Sequence, residues 1–153
     1  MYVTAFTDGS CYYKTKLGGY GVYIKNGEEE TFFQKGFENT TISRMELRGV
    51  IVALQKIVDK NSLVKIYCDS EYVVKSITEM RLWYWEKIDW FGVKNSDLMK
   101  LFLCEISKFK FRPELIHVKG HQKDLSNDLV YGNNVADLLA DYKQFQEREY
   151  DKY

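Results

Sequence analysis

The sequence predicts an α/β fold, a five-stranded mixed sheet with helices on both faces, in the order βββαβααβα. Three observations predict it. Apolar, aromatic-rich runs fill the first 37 residues and are split by Asn26-Gly27, a strong hairpin signal. From Ser43 the apolar period changes from that of a strand to that of a helix. A helical crossover then leads to a short apolar run at 63–69, which permits the first and fourth strands to lie parallel and adjacent.

The elements follow in order. Residues 2–7 form the first strand. GGYGVYIKNG (18–27) is the second and TFFQKGF (31–37) the third, together an antiparallel meander. Leu47, Val50, Ile51, Leu54, Ile57 and Val58 recur at helical spacing between Ser43 and Lys60, and Ser43 with Glu46 fits a capping box. LVKIYCD (63–69) is a buried strand, and EYVVKSI (71–77) opens a second helix. Residues 80–94 are dense in aromatics and predicted to be irregular. SDLMKLFLCEISKF (96–109) is helical, with Asn95 or Ser96 as its cap. ELIHV (114–118) is the fifth strand, GHQKDLSNDLVYG (120–132) a polar loop, and NNVADLLADYKQF (133–145) the last helix, carried by Val135, Leu138, Leu139, Tyr142 and Phe145.

A length of 153 residues fits one domain, here taken as 1–153. Lys plus Arg and Asp plus Glu number 22 each, so the formal charge is zero and a nucleic-acid partner must be held by a local patch. Glu28, Glu29 and Glu30 suit a solvated edge better than a metal site. Three cysteines without CxxC spacing exclude a zinc or disulfide framework and point to a reduced, cytoplasmic setting. No apolar segment reaches the roughly 18 residues of a membrane span, and the chain enters a strand pattern with no signal peptide before it.

The run YVTAF stops on Asp8-Gly9, an ordinary turn pair. Yet VKIYCDSE (64–71) repeats the pattern, ending an apolar run on Asp69 and a small residue. If the first and fourth strands are parallel neighbours, both acids stand at one sheet edge, beyond the carboxyl ends of the strands, where ligands of open α/β sheets sit. Glu46 falls about a quarter turn from the apolar stripe of its helix, either closing the capping box or facing the same edge. Asp137 flanks the stripe of the last helix, either complementing the helix dipole or joining the cluster, with Asp124, Asp128 and Asp141 as rivals. Converging carboxylates repel unless a cation binds between them, and hard oxygen donors fit magnesium or manganese rather than zinc. Two such ions about 3.5–4 Å apart serve phosphodiester cleavage.

FTDGSC, SRMELRGVIVAL, YCDSEYV, VKGH and GNNVADLLA, in this order, resemble type 1 ribonuclease H of the bacterial kind over nearly the whole chain. The resemblance implies a ribonuclease H-like fold and an endonuclease that cuts the RNA strand of RNA–DNA hybrids with two Mg²⁺ ions, Mn²⁺ being a substitute, leaving 5′-phosphate and 3′-hydroxyl ends. It implies that Asp8 bridges both metals. Glu46 would help hold the ion on the leaving-group side, Asp69 would be a ligand, and Asp137 would help hold the ion that activates water. His121 would assist proton transfer or product departure, while His117, inside a strand, is taken as packed. Backbone groups of Gly9 and Ser10, with Glu46, would read the 2′-hydroxyl. Thr41 and Asn95 would hold a phosphate of the DNA strand, Ser43 would touch the groove, and Trp83, in RLWYWEKIDWF (81–91), would belong to a substrate-binding handle.

Some positions depart from the family pattern. Lys14 and Ile42 stand where asparagines often touch the minor groove, and Glu71 where glutamine is common. The handle is short, and the loop from His121 to Asp137 is longer than usual. With zero net charge, affinity for the hybrid is expected to be modest and salt-sensitive. Two other classes share these features: a different nuclease of the same fold, such as a junction resolvase or transposase, and a hybrid-binding module with weak catalysis. TDGS and RMEL favour the hybrid-cutting branch, and four candidate carboxylates disfavour the binding module. A free-standing monomer is expected rather than a piece of a reverse transcriptase.

Overall fold

The computed structural model describes residues 2–118 and 127–153. Strands β1 (Tyr2–Tyr12), β2 (Leu17–Asn26) and β3 (Glu29–Glu38) form the expected antiparallel meander. Gly27 takes a φ of 65°, the left-handed conformation that a tight hairpin demands. Helix α1 (Ile42–Lys56) carries the chain to β4 (Leu63–Cys68), which pairs in parallel with β1. Helices α2 (Glu71–Thr78), α3 (Arg81–Lys87) and α4 (Ser96–Ile106) follow, then β5 (Glu114–His117), parallel to β4. Helix α5 (Asn127–Ala140), a 3₁₀ turn at Tyr142–Gln144 and β6 (Glu149–Tyr150) complete the chain.

The sheet has six strands rather than five, in the order β5-β4-β1-β2-β3-β6. The sixth is a two-residue strand, too short for an alternating pattern to reveal, and it pairs in parallel with the end of β3. Three helices, not two, separate β4 from β5, because residues 81–87 are helical rather than irregular. Leu82 is fully buried there, and Trp83, Trp85 and Trp90 pack partly buried against the main core.

Side chains alternate across the sheet. Val3 and Ala5 of β1 face α1, where Leu47, Val50, Ile51 and Leu54, with Met99 and Phe102 of α4 packed on that helix, close the larger core. Phe6 and Tyr23 face the other way, onto Ala136 of α5. The cap of α1 is Thr41, whose hydroxyl accepts from the Arg44 amide, so Ser43 lies inside the first turn and the expected capping box is not the cap. The helix ends at Lys56, short of Lys60, because the Lys60 ammonium donates to the Leu54 and Ile57 carbonyls and takes over the helix end. Helix α4 likewise ends at Ile106 rather than 109, and α5 begins at Asn127 rather than 133. Among the described residues no helix is long and apolar enough to cross a membrane.

Candidate active site

Asp8-Gly9 is not a turn. Strand β1 runs straight through it to Tyr12, with Asp8 opposite Gly21 and Gly9 opposite Tyr20 of β2. What ends here is the neighbour: β4 stops at Cys68, which pairs with Thr7. Asp8 is therefore the first β1 residue without a parallel partner, and Asp69 is the first residue past the end of β4. Ser70 then caps α2, its hydroxyl accepting from the Val73 amide, so the chain turns away and leaves the edge open.

Two glycines bring helices onto this edge. A Cβ on Gly9 would lie 2.4 Å from the Glu46 nitrogen and 2.6 Å from the Met45 carbonyl carbon, so α1 crosses β1 directly against bare backbone. That crossing sets the Glu46 backbone against Gly9, the residue next to Asp8. On the opposite face, a Cβ on Gly21 would lie 2.5 Å from the Ala136 oxygen and 2.7 Å from the Ala140 nitrogen, which sets Asp137 over the sheet. The site thus straddles the sheet edge, with Glu46 arriving from one face and Asp137 from the other. Gly9→Ala is expected to push α1 off the strand, destabilise the fold by about 1–3 kcal/mol and lower turnover at least tenfold through displacement of Glu46. Urea unfolding and steady-state cleavage measure the two effects; unchanged values for both would contradict this account of the crossing.

The electrostatics follow from this placement. Burial, a hydrogen bond with Asp137 and the charges of Asp137 and Asp69 push the Asp8 carboxyl up to about 8, while the Gly9 amide donates to Asp8 Oδ1 at 2.8 Å and opposes the rise. Burial and the Asp69 charge push Glu46 up to about 7, against a hydrogen bond with the Ser70 side chain. Asp69, exposed at the edge, therefore faces both Asp8 and Glu46. Among the described residues no three Asp, Glu, His or Cys side chains are grouped closely enough to hold one metal ion. The donor chemistry nevertheless fits hard divalent cations. Asp8 is hydrogen-bonded to Asp137 and feels the charge of Asp69, Glu46 feels Asp69 as well, and no cationic side chain is among the main groups shifting Asp8 or Glu46.

The remaining candidates divide. The Ser10 hydroxyl is engaged in structure: it donates to the Ala140 carbonyl at 2.5 Å and accepts from the Tyr142 amide, pinning the end of α5 to β1. Thr41 and Asn95 both bond to Arg44, whose amide donates to Thr41 and whose guanidinium donates to Asn95. Ser43 is half-buried in the first turn of α1. Trp83 is half-buried against the core, with the Arg112 guanidinium 4.2 Å above its ring. Exposed aromatics in the same segment are Tyr84 and Phe91. Ile42 is exposed, and Glu71 pairs with Lys75 at 2.7 Å. Asp128 lines a cavity with Phe6, Tyr23 and Tyr67, and Asp141 accepts from the Lys143 amide, so neither rival joins the cluster. His121 and Asp124 lie outside the described residues. Sequence reasoning missed Ser70, Arg44 and Asp151; Ser70 and Arg44 lay inside quoted motifs and Asp151 lay outside all of them.

The RNase H family model matches residues 1–144. This chain belongs to the RNase H family. The ribonuclease H of Verminephrobacter eiseniae is 38% identical over 143 residues, covering 90% of this chain and 87% of that protein. That of Bordetella avium is 34% identical over 143 residues, with the same coverage of 90% and 87%. The solution structure of the RNase H domain of prototype foamy virus is similar with a TM-score of 0.76 and 25% identity, over 90% of this chain and 91% of that one. RNase H enzymes are metal-dependent hydrolases that act on RNA–DNA hybrids, and the resemblance seen in the sequence is borne out at the level of family and fold.

Proposed function

We propose that this chain hydrolyses the RNA strand of RNA–DNA hybrids, with Asp8, Glu46, Asp69 and Asp137 as its metal-holding carboxylates and Mg²⁺, two ions, as the cofactor. One observation carries the reading: Asp8 and Asp69 sit side by side where β4 ends and β1 continues, with Glu46 and Asp137 delivered from opposite faces. Bound there, divalent cations would supply an activated water and charge stabilisation for the leaving 3′ oxygen. The chain's own contribution is position. Gly9 and Gly21 fix how close the two helices come, and Ser70 orients Glu46. Backbone groups of Gly9 and Ser10 would read the 2′-hydroxyl with Glu46, as only RNA carries that group. Thr41 and Asn95 would grip a phosphate of the DNA strand, and His121 would move a proton or help the product leave. The whole chain would act as one catalytic domain, as a monomer in the cytoplasm, with Mn²⁺ able to replace Mg²⁺.

The test is cleavage of a labelled RNA–DNA hybrid with magnesium, beside duplex RNA, duplex DNA and a four-way junction. Cutting confined to the RNA of the hybrid, with 5′-phosphate ends, is expected. Preferential cutting of the junction would replace this reading with a resolvase, and magnesium-independent binding without cutting would leave a hybrid-binding module.

A further inference from the structure

The last nine residues, 145–153, lie beyond the family match, yet their most buried member is a charge. Asp151 is 0% exposed, and so is Arg44, its main partner. Arg44 Nε donates to Asp151 Oδ2 at 2.8 Å and Nη2 to Oδ1 at 3.0 Å. On its other edge Arg44 donates twice to Asp97, at 2.9 and 2.7 Å, and Nη1 also reaches Asn95 Oδ1 at 3.3 Å. Asp151 has a second set of partners on the segment before α1. Its amide donates to the Glu38 carbonyl, its carbonyl accepts from Asn39 Nδ2, and its Oδ2 accepts from the Thr40 hydroxyl at 2.8 Å. Thr41 is the next residue.

The Asn95 side chain is turned away from its own helix. Its φ is 58°, a left-handed conformation, and although it stands at the N-cap of α4 its side chain makes no cap hydrogen bond. The amide is aimed elsewhere, Oδ1 at Arg44 and Nδ2 at the Tyr72 hydroxyl. Asparagine adopts this conformation readily, so the particular feature is the aim of its amide, which leads back through one guanidinium to the tail.

We propose that Asp151 is a positioning residue that joins the two halves of the substrate-phosphate pocket, holding Thr41 through Asn39 and Thr40, and Asn95 through Arg44. The inference rests on the reading of Thr41 and Asn95 as phosphate contacts. The tail therefore tunes substrate grip from behind the pocket, touching neither substrate nor the carboxylates.

The experiment compares wild type, Asn95→Ala, Asp151→Asn and the double variant in steady-state hybrid cleavage with magnesium, well below the melting temperature. Asp151→Asn keeps the shape and loses the charge. It is expected to raise KM about tenfold with kcat changed less than twofold, as Asn95→Ala does, and the double variant is expected to be no worse than either single one. A purely structural role would lower the active fraction and hence kcat, leaving KM in place. If Asn95→Ala raises KM and Asp151→Asn does not, the positioning role is overturned while the phosphate contact stands. If Asn95→Ala itself leaves KM unchanged, the phosphate reading fails and takes the proposal with it. Should Asp151→Asn melt too early for kinetics, hybrid binding in the Asp8→Asn background decides: about tenfold weaker binding than Asp8→Asn alone supports the role, and equal affinity overturns it.

Discussion

Asp8→Asn is expected to abolish hybrid cleavage, by at least about a thousandfold, and at the same time to raise the thermal stability of the metal-free protein near pH 8. The two effects have one origin. Asp8 stands between Asp137 and Asp69, and its carboxyl is raised from an ordinary 3.8 to about 8, chiefly by burial. In the unfolded chain the proton is lost near pH 4, whereas the native state keeps it until about pH 8. The native state thus binds more protons than the unfolded state across that window, so stability declines as pH rises through it. Glu46, raised to about 7, acts in the same direction. Asparagine has no proton to lose and still offers an N–H to Asp137. Its advantage should be absent near pH 4 and full near pH 8, about 2 kcal/mol, equivalent to a melting shift of roughly 4–8 °C. Melting curves over pH with a chelator present measure it. Magnesium should then raise the melting temperature of the wild type more than that of the variant. A variant that melts no higher than wild type at pH 8, or that still cleaves the hybrid, would overturn the assignment of Asp8 as the central carboxylate.

The same pair of residues shows what was legible in the sequence. Asp8 and Asp69 were found because each ended an apolar run, and adjacency followed from a parallel crossover, which needs only topology. Yet the reason given for Asp8, a strand end, was incorrect. The strand goes on, and its neighbour ends. Helix α3 escaped because its seven residues carry only one fully buried side chain, Leu82, and start from Met80 in a left-handed conformation with no capping side chain. The start of α5 escaped because Gly132 breaks the pattern; that glycine is there for Phe6, whose ring would meet a Cβ at 2.4 Å. Such tertiary contacts leave no periodic trace. Arg44 is the extreme case. It reads as one more charge on an amphipathic helix, and nothing local signals its burial, because its partners lie 53 and 107 residues away.

Asp151→Ala should be the most destabilising single substitution outside the apolar core, costing about 3–5 kcal/mol. Arg44 makes five side-chain hydrogen bonds, two of them to Asp151, and is stacked under the Tyr153 ring at 4.0 Å. Burial by itself would lower the Arg44 pKa, but Asp97 and Asp151 raise it overall, so the guanidinium stays charged. Arg48 adds a second cation, with Nη2 2.7 Å from Asp151 Oδ1. Removing the carboxylate leaves two guanidinium groups facing a cavity, with only the half-exposed Asp97 as counter-charge for Arg44. It also leaves the Thr40 hydroxyl without its acceptor. The pH dependence runs opposite to that of Asp8. Burial alone would raise Asp151, but Arg44, Arg48 and Thr40 hold it below the ordinary carboxylate value. Asp97 is lowered as well, first by its hydrogen bond with Arg44. Their contribution is complete above about pH 4 and is lost as pH falls through the depressed values. The wild type should therefore lose stability steeply in acid, and Asp151→Ala should show a shallower acid limb from a lower plateau. Urea unfolding from pH 2 to pH 8 separates the two. Parallel acid limbs in wild type and variant would mean that the buried carboxylate contributes nothing through its charge, and the tail would then be held by packing alone.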